Sequence, residues 1–119
     1  MLRLDFLALE PDPSRWRILR SGLQALGRRG VAVSTPAELA AVLAVGTVEE
    51  LMIGRCGTAA DHADALALLR CPAAEGTRIR VVADPSDPRR VAQYLRLGPR
   101  VCVIAPVDEA DAVPTDRAA

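Results

Sequence analysis

Few side chains in this sequence could do acid–base or nucleophilic chemistry. The 119 residues include one histidine, His62, and three cysteines, Cys56, Cys71 and Cys102, and all fifteen of the Lys-plus-Arg cations are arginine. Lysine chemistry is therefore impossible, and a lone histidine leaves general acid–base catalysis at neutral pH with a single candidate. His62 has no second histidine beside it and reads as a structural or solvent-exposed residue. The cysteines show no C-x-x-C spacing and no flanking histidines, so neither a zinc site nor a disulfide framework is indicated, and an odd number of isolated thiols suits a reducing cytoplasm. Cys102, inside an apolar run, reads as a small buried hydrophobe. The sequence points to no catalytic residue, no metal and no cofactor.

Arginine is where binding chemistry concentrates. Between positions 78 and 100, Arg78, Arg80, Arg89, Arg90, Arg96 and Arg100 face only Asp84 and Asp87, a local charge of +4 in a chain that is neutral overall. Such a patch attracts an anion or an acidic partner. Arg80 interrupts the apolar run from Ile79 to Val82, and a buried guanidinium without a partner is very costly. It needs a carboxylate, a phosphate or an opening to water. A phosphate would make it a ligand contact; Asp84, a tail carboxylate or snorkelling would make it structural. Tyr94 and Arg100 lie downstream, and two arginines with one aromatic ring can hold a purine and a phosphate, because guanidinium forks bind phosphate bidentately and stack on flat rings. Tyr94 reads equally well as packing for its helix. Nucleic-acid binding is disfavoured by the neutral charge and the lack of aromatic residues among the arginines.

The elements that position these residues alternate. Half the chain is hydrophobic, which excludes disorder and fits a single domain. Leu4 to Leu9 predicts a strand, closed by Glu10, Pro11, Asp12 and Pro13. Trp16, Ile18, Leu19, Leu23 and Leu26 recur at helical spacing up to Gly27. Val31 to Ser34 is a strand; Thr35 and Pro36 open a helix that Gly46 closes; Glu50 to Ile53 is a third strand. Asp61 to Arg70 is helical, Ile79 to Ala83 a fourth strand, Pro88 to Leu97 a fourth helix, and Val101 to Ile104 a fifth strand. Strict alternation with short connections implies a doubly wound parallel α/β sheet with right-handed crossovers. Positions 108–119 offer few apolar residues and contain Pro114, so the domain spans 1–107, the tail reads as linker or truncated end, and the last helix is short or missing. No apolar run is long enough to span a membrane, and the expected setting is cytoplasmic.

The order of elements resembles the receiver domain of bacterial response regulators. LALEPDP at Leu7 to Pro13 looks like the first strand and acidic turn, LRLG at Leu95 to Gly98 like the end of the fourth helix, and VIAPV at Val103 to Val107 like the fifth strand with its proline. The resemblance implies a five-stranded sheet in the order 2-1-3-4-5. It also implies a phosphoacceptor aspartate, an acidic pair holding magnesium, a hydroxyl and a lysine, and at those positions this sequence has Gly54, Glu10 with Pro11, Ala83 and Ala105. The Ala105–Pro106 bond corresponds to a cis peptide in that family. Glycine cannot form an acyl phosphate, and a single carboxylate is a poor magnesium site. The chain is thus similar to a degenerate receiver, a pseudoreceiver.

Arg80, Tyr94, Pro99 and Arg100 are similar to the ligand positions of the cyclic di-GMP-binding pseudoreceiver in certain alphaproteobacterial hybrid histidine kinases, including one that controls stalk formation. That likeness implies a noncatalytic regulatory domain in which Arg80, Tyr94 and Arg100 touch guanine and phosphate, Pro99 shapes the wall, and the messenger relieves autoinhibition of a multidomain kinase. Its expected partners are cyclic di-GMP and the other domains of the parent protein. The alternative is a protein interaction or dimerisation module that uses the same surface without a ligand.

Overall fold

A computed structural model describes residues 2–54, 59–70, 76–82 and 87–104. Nine elements alternate: β1 (Leu2–Leu9), α1 (Pro13–Ala25), β2 (Gly30–Val33), α2 (Pro36–Val45), β3 (Gly46–Ile53), α3 (Ala59–Leu69), β4 (Arg78–Val82), α4 (Pro88–Leu95) and β5 (Val101–Ile104). The strands form one parallel sheet in the order β2-β1-β3-β4-β5, the doubly wound architecture that alternation predicts. None of the described helices is long and apolar enough to cross a membrane.

Capping side chains set where helices start. Asp12 accepts the Ser14 amide at 2.9 Å ahead of Pro13, Thr35 accepts the Glu38 amide ahead of Pro36, and Asp87 accepts the Arg90 amide ahead of Pro88. Each cap satisfies an amide that the first helical turn leaves without a partner, and each proline occupies a position where no amide hydrogen is needed. Glu38 also accepts the amide of Ser34, the residue before the cap, at 3.1 Å.

Several boundaries differ from the sequence reading, three of them with a clear physical reason. β1 begins at Leu2 and β3 at Gly46, because Leu2 pairs with Gly46 and Arg3 with Thr47. Neither segment carries the uninterrupted apolar signal of a buried strand, and it is the pairing of one with the other that keeps both extended. α4 ends at Leu95 rather than Leu97, in a turn closed by Gly98 at φ 114°.

The sheet buries its two faces unequally. Leu7, Leu9, Leu51, Ile53, Ile79 and Val81 pack with Leu39 and Leu43 of α2, Leu66 and Leu69 of α3 and Tyr94 of α4. On the opposite face Phe6, Ala8, Met52 and Val82 meet Leu19 and Leu23 of α1. Full burial of each leucine contributes about 1.5–3 kcal/mol, so the three-helix face carries most of the apolar stabilisation. Because α1 is the one described helix on the second face, Arg80 is only partly covered there and Cys102 is exposed. Ala83, Ala105, Pro106, Cys56, Cys71 and the tail, with the question of a last helix, lie outside the described residues.

Candidate functional site

Open α/β sheets usually place ligands at the carboxyl ends of their strands, and among the described residues the ends of β1 and β3 are closed by the protein's own side chains. Glu10 follows β1 and is buried. Its Oε1 lies 3.0 Å from Nε of Arg15, one turn into α1, and its Oε2 accepts the Asp12 amide at 3.3 Å. Gly54 follows β3, and its amide donates to the Leu9 carbonyl at 2.9 Å. A Cβ added at Gly54 would stand 2.8 Å from Glu10 Oε1 and 2.9 Å from the Leu9 carbonyl oxygen, closer than real Cβ contacts come. The Glu10 carboxylate therefore occupies the space that a side chain at position 54 would need. Arg15 supplies the positive charge beside it, so Glu10 has no need of a cation. Pro11 is exposed and its side chain has no donor atom for a metal; the depression that it lines with Leu9, Ser34, Pro36 and Asp61 holds about 10 Å³, roughly one water. Among the described residues no three His, Cys, Asp or Glu side chains gather as a metal site. This donor set does not fit a magnesium ion, which takes several oxygens in octahedral geometry.

The opposite end of the sheet is open. A groove of about 290 Å³ runs across the starts of β4 and β5, lined by Glu50, Arg78, Arg80, Pro99, Arg100 and Cys102 among others. Its volume sits near the lower end of small-molecule pockets, roughly 300–1,000 Å³. Arg80, Pro99 and Arg100 thus converge, as the sequence reading required. They come together because Arg80 is in register with Cys102 and the Gly98–Arg100 turn leads directly into β5.

Arg80 finds its counter-charge on β3. Its Nε stands 3.1 Å from Oε2 of Glu50, which is 4% exposed as a side chain. Asp84 and the tail fall outside the described residues. Glu50 also meets Arg28 Nη1 at 3.4 Å and Arg78 Nη2 at 3.6 Å, so three arginines, two from β4 and one from the turn before β2, surround one buried carboxylate. Glu49, half in water, meets Arg28 and Arg78 at 3.5 and 3.2 Å. Arg28 is held further by the Asp5 carbonyl at 3.1 Å and lies 5.9 Å from the Phe6 ring centre. Arg100 Nη2 donates to the Leu69 carbonyl at 2.8 Å. Much of the local positive charge is therefore engaged within the protein. Arg80 meets Glu50 through Nε and also lines the groove.

Tyr94 does not join this group. It is 0% exposed, packed in the core of the three-helix face, with its hydroxyl 2.8 Å from His62 Nδ1 and the two rings edge to face. Of the two readings open to Tyr94, the structure places it as packing, because the helical phase of α4 turns this position inward toward α3. Cys102 requires the opposite correction: it is exposed, because its side of β5 has no described helix over it. Sequence reasoning missed Glu50 and Arg15. The signal for Glu50 was a carboxylate in one central strand matched by arginine in the next; for Arg15 it was a cation five residues beyond Glu10, across the turn.

His62 is buried beside Tyr94, and burial lowers its pKa from 6.5, with Arg90 acting in the same direction against the opposing pull of Asp61 and Asp87.

No protein-family model matches the chain, and no curated protein matches it. Solved structures do. The signal receiver domain of a signal transduction histidine kinase from Syntrophus aciditrophicus superposes with a TM-score of 0.73 at 20% identity, covering 92% of this chain and 83% of that one. A CheY-like protein, TadZ, from Pseudomonas aeruginosa superposes with a TM-score of 0.63 at 23% identity over 92% of both chains. The fold is that of CheY-like receiver domains.

Two outcomes follow for stability. Glu50→Gln should lower unfolding free energy by about 3 kcal/mol, the low end for breaking a buried pair because its arginines stay partly in water, whereas Glu49→Gln should stay within about 0.5 kcal/mol; urea denaturation of both variants measures the contrast. For His62, the unfolded chain binds a proton more readily than the native one, so its contribution to stability is undiminished above pH 6.5 and falls as pH drops below that value. His62→Gln should flatten that part of the stability profile, read from urea midpoints across the acidic range.

Proposed function

We propose that this chain is a noncatalytic, receiver-like regulatory domain of a signalling protein, acting through contact with other domains rather than through phosphotransfer. The observation that carries this reading is the closure of the carboxyl end of the sheet: the Glu10 side chain fills the volume at Gly54 and is already neutralised by Arg15. A receiver that takes phosphate needs an acceptor side chain on that strand end and a cation beside it. Glycine supplies no oxygen, and the neighbouring carboxylate is bonded to an arginine. The fold shared with a histidine kinase receiver supports a place in two-component signalling. A multidomain hybrid histidine kinase in the cytoplasm is the corresponding parent, with its other domains as partners.

A second reading is favoured by the meeting of Arg80, Pro99 and Arg100 in one groove. In it the groove binds cyclic di-GMP, and occupancy shifts the parent kinase out of an autoinhibited arrangement by favouring one domain packing over another. The terminal nitrogens of Arg80 suit a phosphate oxygen pair. With Tyr94 on the far side of the sheet, a guanine in this groove would stack on a guanidinium plane instead of a phenol ring. Glu50 would restrict the anion to the outer part of the groove by repulsion.

Acetyl phosphate with magnesium should leave the mass of the purified chain unchanged, measured by intact mass spectrometry; an added phosphoryl group on any side chain would overturn the noncatalytic reading. Calorimetry with cyclic di-GMP, using GTP and linear pGpG as controls, separates the two modes of regulation. Selective binding that Arg80→Ala weakens at least about tenfold, the loss of one charge-assisted contact, would establish the ligand reading. Absence of binding up to millimolar ligand would leave contact between domains as the mode of action.

A further inference from the structure

β2 is an edge strand of unusual plainness. Its four residues, Gly30-Val31-Ala32-Val33, carry no charge, no proline and no large polar side chain, and β1 is its one strand neighbour. Natural edge strands are commonly blunted by charge, proline or a bulge. β2 has its shortness alone. The amides of Phe6 and Glu10 donate to the carbonyls of Arg29 and Val33, so the odd-numbered positions turn their backbone groups toward β1. By the alternation of a parallel ladder, Gly30 and Ala32 turn theirs outward.

The surface beside this edge is apolar as well. Val31 is in register with Leu7 and so lies on the face that α2 covers, and it is 41% exposed. The outward side of α2 carries Ala37, Glu38, Ala41, Ala44 and Val45, with a single charge in ten residues and Val45 61% exposed. A surface helix ordinarily turns charged and polar residues to water.

We infer that a second copy of this chain pairs with the first through β2, antiparallel and about a two-fold axis at Val31. This inference is independent of whether the groove at β4 and β5 takes a ligand. The register is dictated by which groups point outward: Gly30 of each copy faces Ala32 of the other, exchanging amide-to-carbonyl bonds in both directions, and the two Val31 side chains meet across the axis as a non-hydrogen-bonded pair with Cα atoms about 4.5 Å apart. The axis stands perpendicular to the sheet, so the α2 helices of both copies flank the valine pair on one side and offer their alanine faces to each other. Charge is complementary at each end. Exposed Arg29 of one copy lies opposite Val33 of the second copy, next to Ser34, whose amide Glu38 holds at 3.1 Å, so a cation approaches that exposed carboxylate twice. An isologous contact of this kind closes on itself and leaves a ten-stranded sheet with β5 at both edges.

Sedimentation equilibrium of the purified chain from micromolar to millimolar concentration should show a monomer–dimer equilibrium. Val31→Arg sets two like charges opposite each other on the axis and should raise the dimer dissociation constant at least about tenfold with an unchanged circular dichroism spectrum. Ala32→Pro removes an outward amide that β1 does not use and should act similarly. Should either variant misfold, hydrogen exchange on the unaltered protein decides: the Gly30 and Ala32 amides should exchange more slowly as concentration rises. A chain that stays monomeric throughout, a dimer indifferent to both folded variants, or exchange at Gly30 and Ala32 that ignores concentration would each overturn the proposal.

Discussion

A buried carboxylate cannot stand in a β-sheet without cations around it, and Glu50 shapes one end of this protein through that constraint. Arg80 comes from the next strand, Arg78 from the start of the same strand, and Arg28 from the turn between α1 and β2. The cluster ties β2, β3 and β4 together on the face where α1 is the one described helix. Such a cluster adds less net stability than an apolar core of equal volume would, because desolvating the charges offsets much of their attraction. It does make this part of the sheet surface polar. Among the described residues, arginine and glutamate line the groove beside it, where apolar residues would need cover from water.

At the other end the same element of chemistry has the reverse effect. Glu10 and Arg15 form a compact internal pair that closes the mouth of the sheet, and Gly54 is the residue type that leaves the pair room. A doubly wound sheet ordinarily offers its strand carboxyl ends to ligands because loops diverge there. Here the divergence is filled by the protein's own charges. The chain therefore shares an architecture with receiver domains while presenting its free polar surface at the amino ends of β4 and β5. Among the described residues the accessible features are a sheet face, a groove and a bare strand edge.

His62 and Tyr94 show how sparse chemistry can be absorbed by packing. The histidine and the tyrosine are each the only one of their kind in the chain, and they satisfy each other between α3 and α4 at 2.8 Å. Burial then holds the imidazole toward its neutral form. The pair lends directionality to a core otherwise made of leucine, isoleucine and valine, and leaves neither residue facing the groove.

The sequence alone determined the fold class. Alternating apolar runs and helical stripes, punctuated by Asp12, Thr35, Asp87 and the glycines, are local signals, and local signals specify β and α units whose short connections permit essentially one handedness. The same reading marked Arg80, Pro99 and Arg100, and took Gly54 as the position that resembles the phosphoacceptor. It could not pair Arg80 with Glu50, thirty positions away, because ion partners across strands depend on register, which no local spacing encodes. Nor could it separate the two roles open to Tyr94, since a residue at an amphipathic boundary faces core or surface according to how its helix is rotated against its neighbours. The extension of β1 and β3 back to Leu2 and Gly46 was likewise tertiary, each segment held extended by hydrogen bonds to the other. Composition and periodicity choose the elements; which charges meet, which face stays open and which edge is left bare are decided when the sheet assembles, because those contacts exist only between segments distant in the chain.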